Sequence, residues 1–257
     1  MVAGRGAGTA KPPATNRPLQ LYLLAYNSAF ALGWAHCLAS GLRAAASSSS
    51  ASSATAAAAA SSAFFAGAAP TARVLVLACL LETAHAALGL VPSSPLTCFL
   101  QWWGRENALF QIALAVPAVQ RHPAAAGMVL CWCLSEVIRY PWYAAGASSP
   151  RWLTWLRYSA FIPLYPVGVV CELAIIWVAL PALRRERLWS VQMPNAANFA
   201  FDYSVFISVM ALLYPYLFWG QYSSLLRTRA KKLGGGGKVG GAGGGGGGSR
   251  SGRRRQE

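Results

Sequence analysis

Apolar runs of about twenty residues recur along this chain, and that length is what one helix needs to cross the hydrocarbon core of a bilayer. They lie at 19–38 (LQLYLLAYNSAFALGWAHCL), 72–91, 99–119, 124–143, 152–183 and 199–222. Inside lipid every backbone N–H and C=O must find a partner within the protein, so such runs fold as helices. The expected fold class is an all-α integral membrane bundle of about six transmembrane helices. Only 11% of residues are charged, against roughly 25% in an average soluble domain, which excludes a soluble, highly charged surface.

A net charge of +15 on 257 residues suggests nucleic acid until it is mapped. Arg5, Lys11 and Arg17, with nine Lys/Arg from Arg227 to Arg255 less Glu257, carry +11 of it. The remainder is too weakly basic for a nucleic-acid surface, and no nucleic-acid partner is expected. The six cysteines build no metal or disulfide framework: Cys37, Cys79, Cys98 and Cys171 are isolated in or beside apolar runs, and Cys131 and Cys133 form C-x-C, so no metal site is expected. His36-Cys37 with Arg43 matches H-C-x5-R, the phosphate cradle of cysteine phosphatases. Here the motif closes an apolar run instead of opening a helix, where the dipole has the wrong sign for phosphate, so Cys37 is read as packing.

The chain divides into a disordered N-terminal tail (1–18), a membrane domain (19–226) and a Gly/Arg-rich disordered tail (227–257). The N-terminal tail lacks the apolar region and cleavage site of a signal peptide. Residues 44–63 are Ala and Ser with one Thr; with no Leu, Ile, Val or Phe to drive insertion, they are expected to form a low-complexity loop. An even number of spans puts both termini on one side, and the cationic tails make that side cytosolic. The loop holding Arg184, Arg185, Glu186 and Arg187 then faces the lumen with a charge of +2, against the same rule. Pro163, Pro166 and Gly168 interrupt the fifth run, which suggests backbone lining a cavity.

Four of the seven acids, Glu82, Glu106, Glu136 and Glu172, fall in or at the ends of apolar runs, where each is costly unless paired or protonated. Local pairing is expected of Glu82 with His85, of Glu136 with Arg139, and of Arg105 with either Glu106 or a neighbouring helix. Glu172 has no basic residue within a helical turn and needs a partner from another helix or a raised pKa. Tyr165 lies seven residues before it, nearly two turns or about 10.5 Å on the same helical face. Spacing alone leaves two readings open: a belt tyrosine above a hydrogen-bonded core glutamate, or a phenol and carboxyl facing one groove as acid–base equipment.

The strings LETAHAALGLVPSS, QWWGREN, CWCLSEVIRYPWYA and LTWLRYSAFIPLYPVGVVCE occur in this order. Together they resemble the membrane 3-hydroxyacyl-CoA dehydratases, also named protein tyrosine phosphatase-like A proteins, the plant members among them. The likeness covers about residues 19 to 226, and its most specific piece runs from Trp155 to Glu172. It implies dehydration of a (3R)-3-hydroxyacyl-CoA to the trans-2-enoyl-CoA, the third step of very-long-chain fatty acid elongation, in the endoplasmic reticulum membrane. The family's catalytic residues fall on Tyr165 and Glu172, and no cofactor is needed. We assign the pair jointly; spacing does not order it, and the working split puts Tyr165 at the C2 proton and Glu172 at the hydroxyl. The resemblance also implies an acyl-chain pocket among the helices and CoA phosphates at a cytosolic mouth, with Arg139 and Arg157 as substrate-binding candidates. The expected partners are the substrate, the bilayer and the other elongase enzymes: condensing enzyme, ketoacyl reductase and enoyl reductase. The alternatives are a catalytically silent membrane scaffold of the elongase, against which an intact Tyr165 and Glu172 argue, and a transporter, which would show internal repeats. The ending R-R-R-Q-E resembles an arginine-type retrieval signal.

Overall fold

Helix length follows from the apolar runs, and helix starts follow from proline. Pro95, Pro117 and Pro123 each occupy a first helical turn, where the missing N–H costs nothing. The structure, a computed structural model, describes residues 17–48 and 53–234. Among these, α1 (Arg17–Ser47), α2 (Ser53–Ala78), α3 (Leu80–Ala87) and α4 (Pro95–Glu106) lead through a π-helical segment (Asn107–Ala113) to α5 (Pro117–Gln120). Then come α6 (Pro123–Ala145), a 3-10 turn (Gly146–Ser148), α7 (Arg151–Arg157), α8 (Phe161–Glu186) and α9 (Tyr203–Leu233). The described residues contain no strand. An antiparallel bridge, Val191 N to Phe201 O at 2.8 Å and Phe201 N to Val191 O at 3.0 Å, closes the loop between α8 and α9.

Among the described residues, three helical stretches are long and apolar enough to cross a membrane: Ala56–Ala87, Arg151–Glu186 and Tyr203–Leu233. Polarity is turned inside out relative to a soluble domain. Trp177 (77%), Leu212 (80%) and Tyr216 (81%) face outward while Glu136 is 1% exposed. That arrangement suits hydrocarbon outside and paired charge inside. α6 packs against α1, α2 and α8, and its inward stripe is Ala125, Met128, Val129, Trp132, Cys133, Glu136 and Tyr140, at helical spacing.

The Ala/Ser segment departs from expectation. Residues 44–47 end α1, Ser48 forms a turn and 53–63 begin α2, so the part of 44–63 that is described is helical apart from that one residue. Alanine is the strongest helix former, and in lipid small residues serve helix contact instead of insertion drive. A Cβ at Gly67 would lie 2.7 Å from Ala44 Cβ and 2.8 Å from Ser40 O, so α1 and α2 approach closely because Gly67 has no side chain. Phe64 in turn covers Gly41, and Cys37 Sγ donates to Ala68 O at 3.4 Å. Cys37 is fully buried inside one continuous helix, so the H-C-x5-R string forms no phosphate loop.

Two further boundaries move. The C-terminal tail does not start at 227, because α9 continues to Leu233, with Lys231 and Lys232 in its last turn complementing the helix dipole. At the other end α1 begins at Arg17. The rest of both tails, including the R-R-R-Q-E ending, lies outside the described residues. In the fifth run the chain breaks at 158–160, upstream of the prolines; Pro163 sits in the first turn of α8 and Pro166 within the helix.

If Gly67 sets the α1–α2 distance, Gly67→Leu should destabilise the purified protein by about 1–3 kcal/mol and lower its Tm in detergent by several degrees. Gly104→Ala, whose new Cβ would meet nothing within 4 Å, should leave the Tm unchanged or slightly raised. A Gly67→Leu protein melting like the parent would show that this contact does not hold the hairpin.

Candidate active site

Charges placed in an apolar bundle must cancel locally, and here four of them do so in a row. Arg139 Nε donates to Glu136 Oε2 at 2.6 Å, and its two terminal nitrogens donate to Glu82 at 2.8 and 3.2 Å. Glu136 Oε1 lies 2.6 Å from Arg105 Nη1 of α4. The Tyr140 hydroxyl donates to Glu82 Oε1 at 2.6 Å, receives Arg139 Nη2 at 2.9 Å, and its ring lies 4.6 Å from the guanidinium carbon. The chain Glu82–Arg139–Glu136–Arg105 is neutral and joins three helices, which removes most of the cost of burying its members.

One expected local pair is replaced, and Arg105 takes the second of its two expected partners. His85 does not pair with Glu82; its Nε2 meets the Tyr22 hydroxyl at 2.7 Å, joining α3 to α1. Glu106 accepts from Gln111 Nε2 at 2.9 Å, while Arg105 takes the neighbouring-helix option. The Glu136–Arg139 pair forms as expected.

Glu172 stands apart from this chain and is met from two other helices. Trp132 Nε1 of α6 donates to its Oε1 at 3.2 Å, and the Tyr214 hydroxyl of α9 donates to its Oε2. Close approach of α6 and α8 makes the first contact possible: a Cβ at Gly127 would lie 2.8 Å from Cys171 Sγ, the neighbour of Glu172. The Arg105 guanidinium carbon sits 5.7 Å from the centroid of the same Trp132 ring, so one indole links the ion-pair chain to Glu172.

Tyr165, two turns earlier on α8, leaves its hydroxyl without an intramolecular partner among the described residues. Its ring is half-buried against Phe218 (5.1 Å between centroids) and Tyr222 (6.3 Å) of α9. Tyr214, Phe218 and Tyr222 recur at i, i+4 and i+8 and form the stripe of α9 that faces Tyr165 and Glu172. The phenol and the carboxyl therefore share the α8–α9 seam.

The two candidate arginines are placed differently. Arg139 is committed to Glu82 and Glu136 through all three of its nitrogens. Arg157, at the end of α7, lies 5.9 Å from the ring centroids of both Tyr143 and Tyr158, and its buried Nε has no hydrogen-bond partner among the described residues. Arg229 of α9 reaches the same turn through Nε to Ser159 Oγ at 3.3 Å. Among the described residues no group of three or more His, Cys, Asp or Glu could hold a metal ion.

Sequence reasoning did not single out Trp132 or Tyr214. An indole in an apolar run reads as packing, and a tyrosine beside Pro215 reads as one more belt aromatic. The available signal was position, since Tyr214 is the twelfth residue of α9, about 17 Å from its start, well inside the span.

Residues 76–235 match the model of the family described as protein tyrosine phosphatase-like protein, PTPLA. The very-long-chain (3R)-3-hydroxyacyl-CoA dehydratase 2 of Mus musculus is 36% identical over 156 residues, 60% of this chain and 61% of the relative. The very-long-chain (3R)-3-hydroxyacyl-CoA dehydratase PASTICCINO 2 of Arabidopsis thaliana is 36% identical over 142 residues, 54% of this chain and 64% of the relative. PASTICCINO 2B of Oryza sativa subsp. japonica, which carries the same dehydratase name, is 31% identical over 196 residues, 75% of this chain and 83% of the relative. The chain thus spans about three-fifths of the length of the mouse relative. No solved structure matches. With the family model covering more than half of the sequence and the rice relative aligned over most of both chains, this chain belongs to the protein tyrosine phosphatase-like PTPLA family.

Proposed function

We propose that the protein dehydrates (3R)-3-hydroxyacyl-CoA to trans-2-enoyl-CoA, the third step of very-long-chain fatty acid elongation. The observation that carries the reading is the pairing of Glu172, fixed by donors from α6 and α9, with the unpartnered phenol of Tyr165 on the same helical face. The dehydratase names of the mouse, Arabidopsis and rice relatives supply the reaction class.

Elimination needs one group to take the proton from C2 and one to protonate the hydroxyl leaving C3. The C2–H electron pair becomes the C2=C3 double bond, the C3–O bond breaks, and water departs; the proton gained by the base balances the proton given by the acid. Tyr165 and Glu172 form this pair, with Tyr165 placed at C2, taking the proton as its phenolate, and Glu172 at the hydroxyl, giving the proton as its carboxylic acid. Of the two arginines, Arg157 suits the CoA phosphates better, having a free Nε beside a turn that Arg229 also reaches, whereas Arg139 is occupied by carboxylates. The acyl chain would then lie along the apolar α8–α9 seam, away from that turn.

The same reading gives residues 19–226 as the membrane domain, six spans in an endoplasmic reticulum membrane, both termini in the cytosol, and the other elongase enzymes as partners. Under this topology α8 runs away from the cytosol and α9 returns to it, which puts Arg157 and Arg229 at the cytosolic mouth. Tags at Met1 and Glu257 should both be digested by protease added outside sealed microsomes; protection of either would overturn the six-span arrangement.

Tyr165→Phe and Glu172→Gln should each lower turnover at least about 100-fold, within the range proton transfer contributes, in protein that remains folded. The double variant should cost little beyond the worse single one, because residues sharing one step are non-additive. Arg157→Ala should raise KM with kcat little changed. Folded Glu172→Gln and Tyr165→Phe proteins working at the parental rate would leave a membrane scaffold as the better reading.

A further inference from the structure

The Glu172 carboxyl that would meet the substrate is itself held from two other helices. Both oxygens are engaged: Oε1 by the Trp132 indole N–H from α6 and Oε2 by the Tyr214 hydroxyl from α9. An indole N–H donates only, so Trp132 fixes one oxygen in a single sense. A phenol on a third helix then fixes the other and with it the plane of the group. Glutamate has three rotatable bonds, and a carboxyl free to turn among rotamers would meet a substrate in reactive geometry only part of the time.

Tyr214 differs from the outward-facing aromatic residues of α9. Tyr216 and Trp219 point outward, whereas Tyr214 is half-buried on the stripe it shares with Phe218 and Tyr222. Phe218 and Tyr222 pack their rings around Tyr165, so the same stripe touches both members of the proposed catalytic pair, by hydrogen bond at Glu172 and by ring contact at Tyr165. A further link leads from Trp132 to Arg105 and the neutral ion-pair chain, which anchors the indole.

We infer that Tyr214 is a positioning residue for the dehydration, acting through its hydroxyl on Glu172 in concert with Trp132. Its phenol does not exchange protons with the substrate; it keeps the Glu172 carboxyl aimed into the α8–α9 seam toward Tyr165. This inference rests on the dehydratase reading, and its test separates the two.

Tyr214→Phe removes one oxygen and keeps the ring, so the seam stays filled. The measurement is steady-state turnover of purified full-length protein on a 3-hydroxyacyl-CoA in H2O and in D2O, with Tm recorded alongside. The expected result is a 10- to 100-fold lower kcat, a KM within about threefold of the parent, an unchanged Tm and a larger solvent deuterium isotope effect, because misaligned proton transfer from Glu172 to the leaving hydroxyl becomes rate-limiting. A fall in kcat caused only by a smaller folded fraction would leave the isotope effect where it was, and that outcome would overturn the inference. So would a Tyr214→Phe enzyme with parental kcat while Glu172→Gln is inactive, which would leave the dehydratase reading standing. Should Tyr214→Phe fail to fold, Trp132→Phe reports on the other donor: an enlarged isotope effect supports the two-point clamp, and a parental one overturns it. A fully active Glu172→Gln would instead remove the reading on which the inference rests.

Discussion

An ionised side chain in hydrocarbon is tolerable only when an opposite charge meets it at contact distance, and the architecture follows from meeting that requirement around Glu136. This carboxyl is almost wholly buried and lies 2.6 Å from nitrogens of both Arg105 and Arg139. Arg139 carries the balance on to Glu82, so α3, α4 and α6 are drawn to one point by charges that sum to zero. Removing one member of such a chain strands the others in a medium that cannot solvate them, which is why breaking a buried pair costs far more than the pair itself contributes. The ion-pair chain is a scaffold in this sense, and it frees the bundle to spend its remaining polar groups elsewhere.

Those groups collect along α8 and α9. Glu172 is held by donors from the two neighbouring helices, Tyr165 stands two turns away with a hydroxyl that has no partner among the described residues, and Arg157 and Arg229 each touch the turn before α8. Because α8 and α9 are antiparallel, polar character is graded along their seam, from a carboxyl well inside the span to guanidinium groups at the end. An amphipathic thioester with a long apolar chain and a polyanionic head presents the same gradient. The proposed substrate and the seam are therefore matched in polarity from end to end, and Trp132 couples the seam to the ion-pair chain through Arg105.

Periodicity and charge placement made the helical, membrane-embedded character readable from the sequence, since a carboxylate in an apolar run has few physical solutions. The partner of each carboxylate was less accessible. Proximity along the chain favoured Glu82 with His85, but Arg139, 57 residues away, supplies a full charge and two aligned donors, which a buried imidazole joined to Tyr22 does not. The Ala/Ser segment misled for a related reason: hydropathy measures transfer into lipid, whereas Gly67 and the surrounding alanines act through how closely α1 and α2 can approach. Tyr165 and Glu172 stood out because both lie on one helix. Trp132 and Tyr214 did not, because their relation to Glu172 exists only after three helices have packed.

The most direct measurement is chemical. Purified protein, incubated with a long-chain (3R)-3-hydroxyacyl-CoA and no added cofactor or metal, should release one water and give the trans-2-enoyl-CoA, seen as the conjugated thioester and identified by mass. Folded, monodisperse protein that leaves the 3-hydroxyacyl-CoA unchanged would contradict the dehydratase assignment.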